Sequence, residues 1–131
     1  MSYLSDLPQP HPLLSPQDVI KIQLDALQNN DLTRDDAGIK LAFKFASPDN
    51  RVSTGPLERF ITMFKNPLYK SLIGFERAEL GTMRSSDGIA QQYVQLYRPH
   101  GEVRGYVFTV RLQEDGPFAG CWMTEGVIPA K

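Results

Sequence analysis

The sequence predicts an α+β domain, three N-terminal helices packed on a curved four-stranded antiparallel sheet. The first half places apolar residues at helical spacing behind helix-starting motifs. The second half alternates apolar and polar residues between three glycine-bearing turns. Helices followed by a meander, without alternation of the two, is the order of a layout in which the helices close over one face of the sheet.

Residues 1–14 carry Pro8, Pro10 and Pro12, which remove backbone donors and favour extended geometry. They read as a proline-rich arm, and Leu4, Leu7, Leu13 and Leu14 would let it dock on its own domain or on a neighbour. Residues 15–131 read as one domain, since a chain of 131 residues suffices for one core and not for two.

Ser15-Pro16-Gln17-Asp18 predicts the first helix: Ser15 as N-cap, Pro16 at the first helical position, Asp18 reaching back as in a capping box. Val19, Ile20, Ile22, Ala26 and Leu27 give it a broad apolar arc, and Asn29-Asn30 ends it. A second start falls at Thr33, with Asp36 three residues later. That helix runs through Ile39, Leu41, Ala42, Phe43 and Phe45 and stops before Pro48. Residues 47–56 are polar and read as the one long irregular loop, able to line a cavity mouth or simply to bond its own backbone. Pro56 begins a third helix with Leu57, Phe60, Ile61 and Phe64 on one face, ended by Asn66-Pro67. Leu68, Tyr69, Leu72 and Ile73 then form a helical turn or a bent entry to the sheet.

The turns Ser86-Asp87-Gly88, Pro99-His100-Gly101 and Glu114-Asp115-Gly116 divide residues 75–129 into four strands. Glycine in third place suits a three-residue hairpin loop, whose last residue is left-handed. Pairing outward from such loops places Ala78, Leu80, Val94, Leu96, Tyr106, Phe108, Val110, Leu112, Phe118, Trp122, Thr124 and Ile128 on one face. The other face receives Tyr93, Gln95, Tyr97, Val103, Gly105, Val107, Thr109, Cys121, Met123, Glu125 and Val127, with Arg77, Glu79 and Arg111 at its margins.

The composition excludes several functions. Net charge is −1 with Lys and Arg dispersed among acids, so no basic stripe tracks phosphates and nucleic-acid binding is not expected. Nothing approaches the roughly 18 consecutive apolar residues of a membrane span. The lone Cys121 has no disulfide partner and no charged, then apolar, leader opens the chain, so a cytoplasmic setting is expected. Cys121 reads as a small buried hydrophobe. His11 has no second ligand at metal spacing, and neither a metal nor a cofactor is expected.

In the order of its elements the chain resembles the nuclear-transport-factor-two-like superfamily over about residues 15–129. The runs Phe45-Ala46-Ser47-Pro48-Asp49-Asn50-Arg51, Thr54-Gly55-Pro56-Leu57-Glu58-Arg59-Phe60 and Cys121-Trp122-Met123-Thr124-Glu125-Gly126-Val127 are similar to an uncharacterised branch found in photosynthetic organisms. The resemblance implies a cone-like, cystatin-like roll with a pocket, and often a dimer, but no particular reaction.

Enzymes of that superfamily place an acid or a histidine deep in the cone. Here the inner face offers Gln92, Arg104, Tyr106, Trp122 and Thr124, with Glu76, Arg98 and Glu102 at one end and no mid-strand acid, so no catalytic residue is assigned. A non-catalytic module that dimerises or binds a small apolar ligand or a protein partner fits best. Tyr106, Phe108 and Trp122, with Phe43, Phe60 and Phe64 from the helices, would wall the pocket, while Arg104 and Thr124 fix a polar end of the ligand. The same aromatics would equally fill an ordinary core.

The alternative is a small lyase, isomerase or hydrolase using Tyr106, Arg104 and a carboxylate from Asp49 or Glu125. Alternation aims Glu125 at the outer face, beside Gly105 and Gln95, where a homodimer through Tyr93, Tyr97, Val107, Met123 and Glu125 would pair it with an arginine. A bulge would instead swing it towards the pocket. In a third reading the arm recruits a partner and the cone serves as a dimerising platform.

Overall fold

The computed structural model describes residues 8–31 and 34–130, so Leu4, Leu7 and the Thr33 helix start lie outside the described residues. Helix α1 (Pro16–Gln28) begins with the expected capping box. Asp18 N donates to Ser15 Oγ (3.0 Å) and Ser15 N to Asp18 Oδ2 (2.9 Å), an arrangement that stabilises the helix by about 1 kcal/mol. Helix α2 (Ala37–Lys44) has no cap of its own, because Asp36 is left-handed with its side chain turned elsewhere. Asn30, at the end of α1, supplies the missing acceptor: its Oδ1 takes the hydrogen of Ile39 N at 2.9 Å. The two helices are pressed together at Gly38, where a Cβ would lie 2.0 Å from the Ala26 carbonyl oxygen.

Residues 47–56 are not the expected loop. They hold α3 (Pro48–Thr54), with Ser47 Oγ accepting from Asn50 N at 3.0 Å and Pro48 at the first position. The polar residues that suggest turns act here as helix caps, and α3 buries none of its side chains, so no apolar periodicity betrays it. Helix α4 (Leu57–Met63) and the single turn α5 (Pro67–Lys70) follow. The helical layer thus has five pieces where three are expected.

Strands β1 (Arg77–Ser86), β2 (Ile89–Tyr97), β3 (Val103–Leu112) and β4 (Trp122–Ala130) form one open antiparallel sheet in that order. The class and the meander agree with the sequence. The loops differ. Ser86 pairs with Ile89, leaving a two-residue turn in which Asp87 (φ 54) and Gly88 (φ 78) are both left-handed, the geometry of a type I′ hairpin. The second loop keeps three residues, closed by Arg98 N to Glu102 O at 2.7 Å.

The third connection is the largest departure. A three-residue loop centred on Asp115 would set Leu112 opposite Phe118; the structure sets Leu112 opposite Trp122, and Phe118 belongs to a short 3₁₀ turn. The displacement is four residues, an even number, so Trp122 and Thr124 keep their expected face. A β-bulge then intervenes. Val110 pairs with Thr124 but Thr109 with Gly126, so Glu125 is the extra residue. Beyond it the faces exchange: Val127 lies opposite Phe108 on the inner side, and Ile128 opposite Val107 on the outer side, reversing their sequence assignment.

The inner face brings Ala90, Val94, Leu96, Tyr106, Phe108 and Val110 against Val19, Ile20, Leu24 and Leu27 of α1, Ile39 and Ala42 of α2, and Phe45, Phe60, Phe64 and Leu72. Each large side chain buried there stabilises the domain by about 1.5–3 kcal/mol. Segment 45–47 runs beside β4: Thr124 N donates to Phe45 O (2.7 Å) and Ser47 N to Thr124 O (2.9 Å), a parallel bridge on the strand's outer edge. The sheet is therefore gripped at β4 by the helical layer.

Candidate functional site

Between that grip and the helices lies a cavity of about 220 Å³. Its floor is Leu27 of α1, Ala42 of α2, Leu72 and Phe108, all buried. Phe60 and Phe64, packed edge to face at 5.2 Å between centroids, close one side. Thr54, Met63, Tyr69 and Ile128 are partly exposed and mark the mouth, where α3, α4 and α5 face the end of β4. The bulge at Glu125 completes this wall by turning Val127 inward.

The lining is uncharged. None of the described residues that form it carries a carboxylate, imidazole, amine, guanidinium or thiol. Its polar groups are Gln23, Asn50, Thr54, Tyr69 and Thr124. Gln23 Nε2 donates to Val19 O (3.2 Å) and to Thr124 Oγ1 (2.5 Å), and Asn50 Nδ2 to Thr124 O (3.2 Å). Thr124 is thus the junction of α1, α3 and β4.

Of the residues expected to hold a ligand, Phe60, Phe64, Phe108 and Thr124 line this cavity. Phe43 does not: its ring is taken up by Phe60 (5.1 Å) and by the Arg51 guanidinium at 4.6 Å, which also donates to Phe43 O. Tyr106 is buried beside the cavity and donates its hydroxyl to Leu68 O at 2.8 Å; burial pushes its pKa up. Trp122 packs half-buried on the core, outside the lining. Arg104 is not in this lining. It is half-exposed near the turn between β2 and β3, bonded to Glu102 at 2.6 Å and far from serving a ligand's polar end.

The outer-face set divides too. Tyr93, Tyr97 and Val107 remain on the surface side, but Met123 is fully buried within the chain and offers nothing to a partner. Tyr97 is held by its own sheet, under the Arg77 guanidinium at 3.8 Å and bonded to Glu79 at 2.6 Å. Glu125 accepts from the Ser47 hydroxyl and lies 3.6 Å from Nε of Arg111 in the same chain. The bulge does not carry it into the cavity lining. Neither Asp49 nor Glu125 joins Tyr106 and Arg104 in a common site. Cys121 is buried, as expected, and burial raises its pKa.

Sequence reasoning misses Gln23, Tyr69 and Val127, whereas Asn50 and Thr54 come from segment 47–56, whose polar side chains read as able to line a cavity mouth. One signal was there to be used. Gln23 stands four residues after Val19 and four before Leu27, a polar side chain inside the apolar arc of α1.

The fold and the cavity define an α+β domain with a neutral pocket between its helices and one sheet edge. The chain belongs to a domain family of unknown function (DUF4864), which it matches over residues 14–130. No curated protein and no solved structure matches it. Among the described residues, no helix is long and apolar enough to cross a membrane.

Proposed function

We propose that this domain is a non-catalytic module that binds a small, uncharged, mainly apolar molecule between α3–α5 and β4. One observation carries the reading: a cavity of about 220 Å³ whose lining holds no charged side chain. An apolar cavity of about 150 Å³ accepts a benzene ring, so this one has room for a substituted ring. The lining supplies no carboxylate, imidazole, amine or thiol, so the hydroxyls of Thr54, Tyr69 and Thr124 have no such base in the lining to activate them for acid–base or covalent catalysis. The resemblance to the nuclear-transport-factor-two-like superfamily agrees with a helix-closed sheet around a pocket.

Toluene titrated into the protein and followed by ¹H–¹⁵N NMR tests this. Shifts confined to Phe60, Phe64, Phe108 and Val127, and lost in Ala46→Leu, are expected. Thr54→Leu, at the mouth, serves should Ala46→Leu fail to fold. Scattered shifts, or shifts that persist in the filled variants, would refute the reading.

A second reading, homodimerisation through the outer face, rests on a cross-strand row. Tyr93 lies opposite Val107, and Val107 opposite Ile128, with Tyr93 and Ile128 exposed. Exposed Val103 extends the apolar patch. Light scattering at micromolar concentration is expected to give twice the chain mass, reduced to one by Val107→Lys; a monomeric wild type sinks this reading.

A further inference from the structure

We infer that the cavity selects a neutral hydroxyl-bearing ligand, an alcohol or phenol, over both a hydrocarbon and a carboxylate of the same shape. The inference rests on the cavity reading above and concerns its polar end. Gln23 is 4% exposed, and its amide is oriented by the donation to Val19 O, an atom that can only accept. With both Nε2 hydrogens committed to Val19 O and Thr124 Oγ1, its Oε1 is the remaining acceptor. No described residue donates to it. A second glutamine oxygen in the core, Gln92 Oε1, is sealed without a partner, whereas Gln23 Oε1 is not sealed off and belongs to a residue of the cavity lining.

Thr124 Oγ1 already accepts from Gln23, so what it has left to give is its hydrogen. No described residue takes it. The polar end therefore presents one acceptor and one donor on neighbouring residues. A hydroxyl satisfies both at once, donating to Gln23 Oε1 and accepting from Thr124. A carboxylate would set its charge against the Gln23 oxygen, with no cation in the lining to offset its desolvation. A hydrocarbon would leave both groups unpaired.

The test compares benzyl alcohol, toluene and benzoate by NMR titration of the full chain. Benzyl alcohol is expected to bind about tenfold more tightly than toluene, the factor that about 1.4 kcal/mol of hydrogen bonding gives, and benzoate more weakly than either. Thr124→Val should remove the preference for benzyl alcohol over toluene, and Thr124→Ser should keep it. Toluene or benzoate binding the wild type as tightly as benzyl alcohol overturns this inference and leaves the cavity reading standing. No binding by any of the three overturns both. If Thr124→Val does not fold, the ranking on the wild type and on Thr124→Ser decides alone.

Discussion

Both edge strands of the sheet are bulged by one residue, and only the β4 bulge borders the cavity under the helices. In β1 the interruption falls between Leu80 and Met83; in β4 it falls at Glu125. Each returns an apolar side chain to the inner face three residues after the last one there, Met83 after Leu80 and Val127 after Thr124. The difference lies in what holds them. The β1 bulge is closed by its own sheet, Gln92 Nε2 donating to Gly81 O at 2.7 Å, and most of the strand beyond it is exposed. The β4 bulge is held by the second layer: segment 45–47 brackets Thr124, Asn50 bonds its carbonyl, and Ser47 donates to Glu125. A bulge sealed within a sheet bends an edge, whereas one gripped from another layer sets that edge apart and leaves space behind it.

Deleting each extra residue breaks the comparison most directly. Loss of Glu125 would close the bulge with Val127 still opposite Phe108, straighten β4 and strip Ser47 of its acceptor, at an expected cost of about 2 kcal/mol from the lost hydrogen bond to a charged group. Loss of Thr82 would likewise close its bulge with Met83 still opposite Gln92, for about 0.5 kcal/mol, since Thr82 is an exposed residue of the strand. Urea denaturation of both deletions decides; equal losses would mean that the two bulges are the same device. Next in size is the pair of holding residues. Ser47→Ala removes the α3 cap and the donor to Glu125, an expected loss of about 1.5 kcal/mol. Gln92→Met strips Gly81 O of its donor but also removes an unpaired buried oxygen, so it is expected to cost under about 1 kcal/mol. A Gln92 variant less stable than the Ser47 variant would reverse the assignment of which bulge is the better secured.

The same asymmetry explains which parts the sequence discloses. In the β1–β2–β3 meander, alternation and short turns are local, and the inner residues Ala78, Leu80, Val94, Leu96, Tyr106 and Phe108 all fall where parity puts them. The Asp87-Gly88 turn, one residue shorter than expected, shifts the pairing by one beside it, and the bulge between Leu80 and Met83 restores the expected pairing at Leu80 and Ala78. At β4 the deciding contacts come from residues about 80 positions away, Phe45 and Ser47, and no local pattern announces them. Thr124 survives because the long connection displaces it by an even number, while Val127 and Ile128 exchange faces because the bulge adds one. The cavity suffers most. Half of the expected ligand set lies outside it, since large aromatics identify a core without saying which of them border a void.

The smallest expected effect separates the two sides by pH. Tyr106 and Tyr97 both have raised pKa values, for different reasons. Burial against the helices dominates for Tyr106, whereas a hydrogen bond to Glu79 dominates for Tyr97, on the solvent side. A raised pKa in the folded state means that the unfolded chain releases the proton first. Stability from that group is therefore complete below the ordinary tyrosine value of about 10 and is lost as pH rises through the folded value. Tyr106→Phe should cost about 1 kcal/mol at pH 7, through the lost bond to Leu68 O, and should flatten the decline above pH 10, so that the variant and wild-type curves converge. Tyr97→Phe should leave the alkaline decline nearly unchanged, because solvent screens the exposed Arg77, Glu79 and Tyr97 group. Thermal melts from pH 7 to 11.5 give both comparisons. A decline that Tyr97→Phe flattens and Tyr106→Phe does not would place the buried, proton-holding face of the sheet on the Tyr97 side and sink the account of the helix-covered face as the enclosed one.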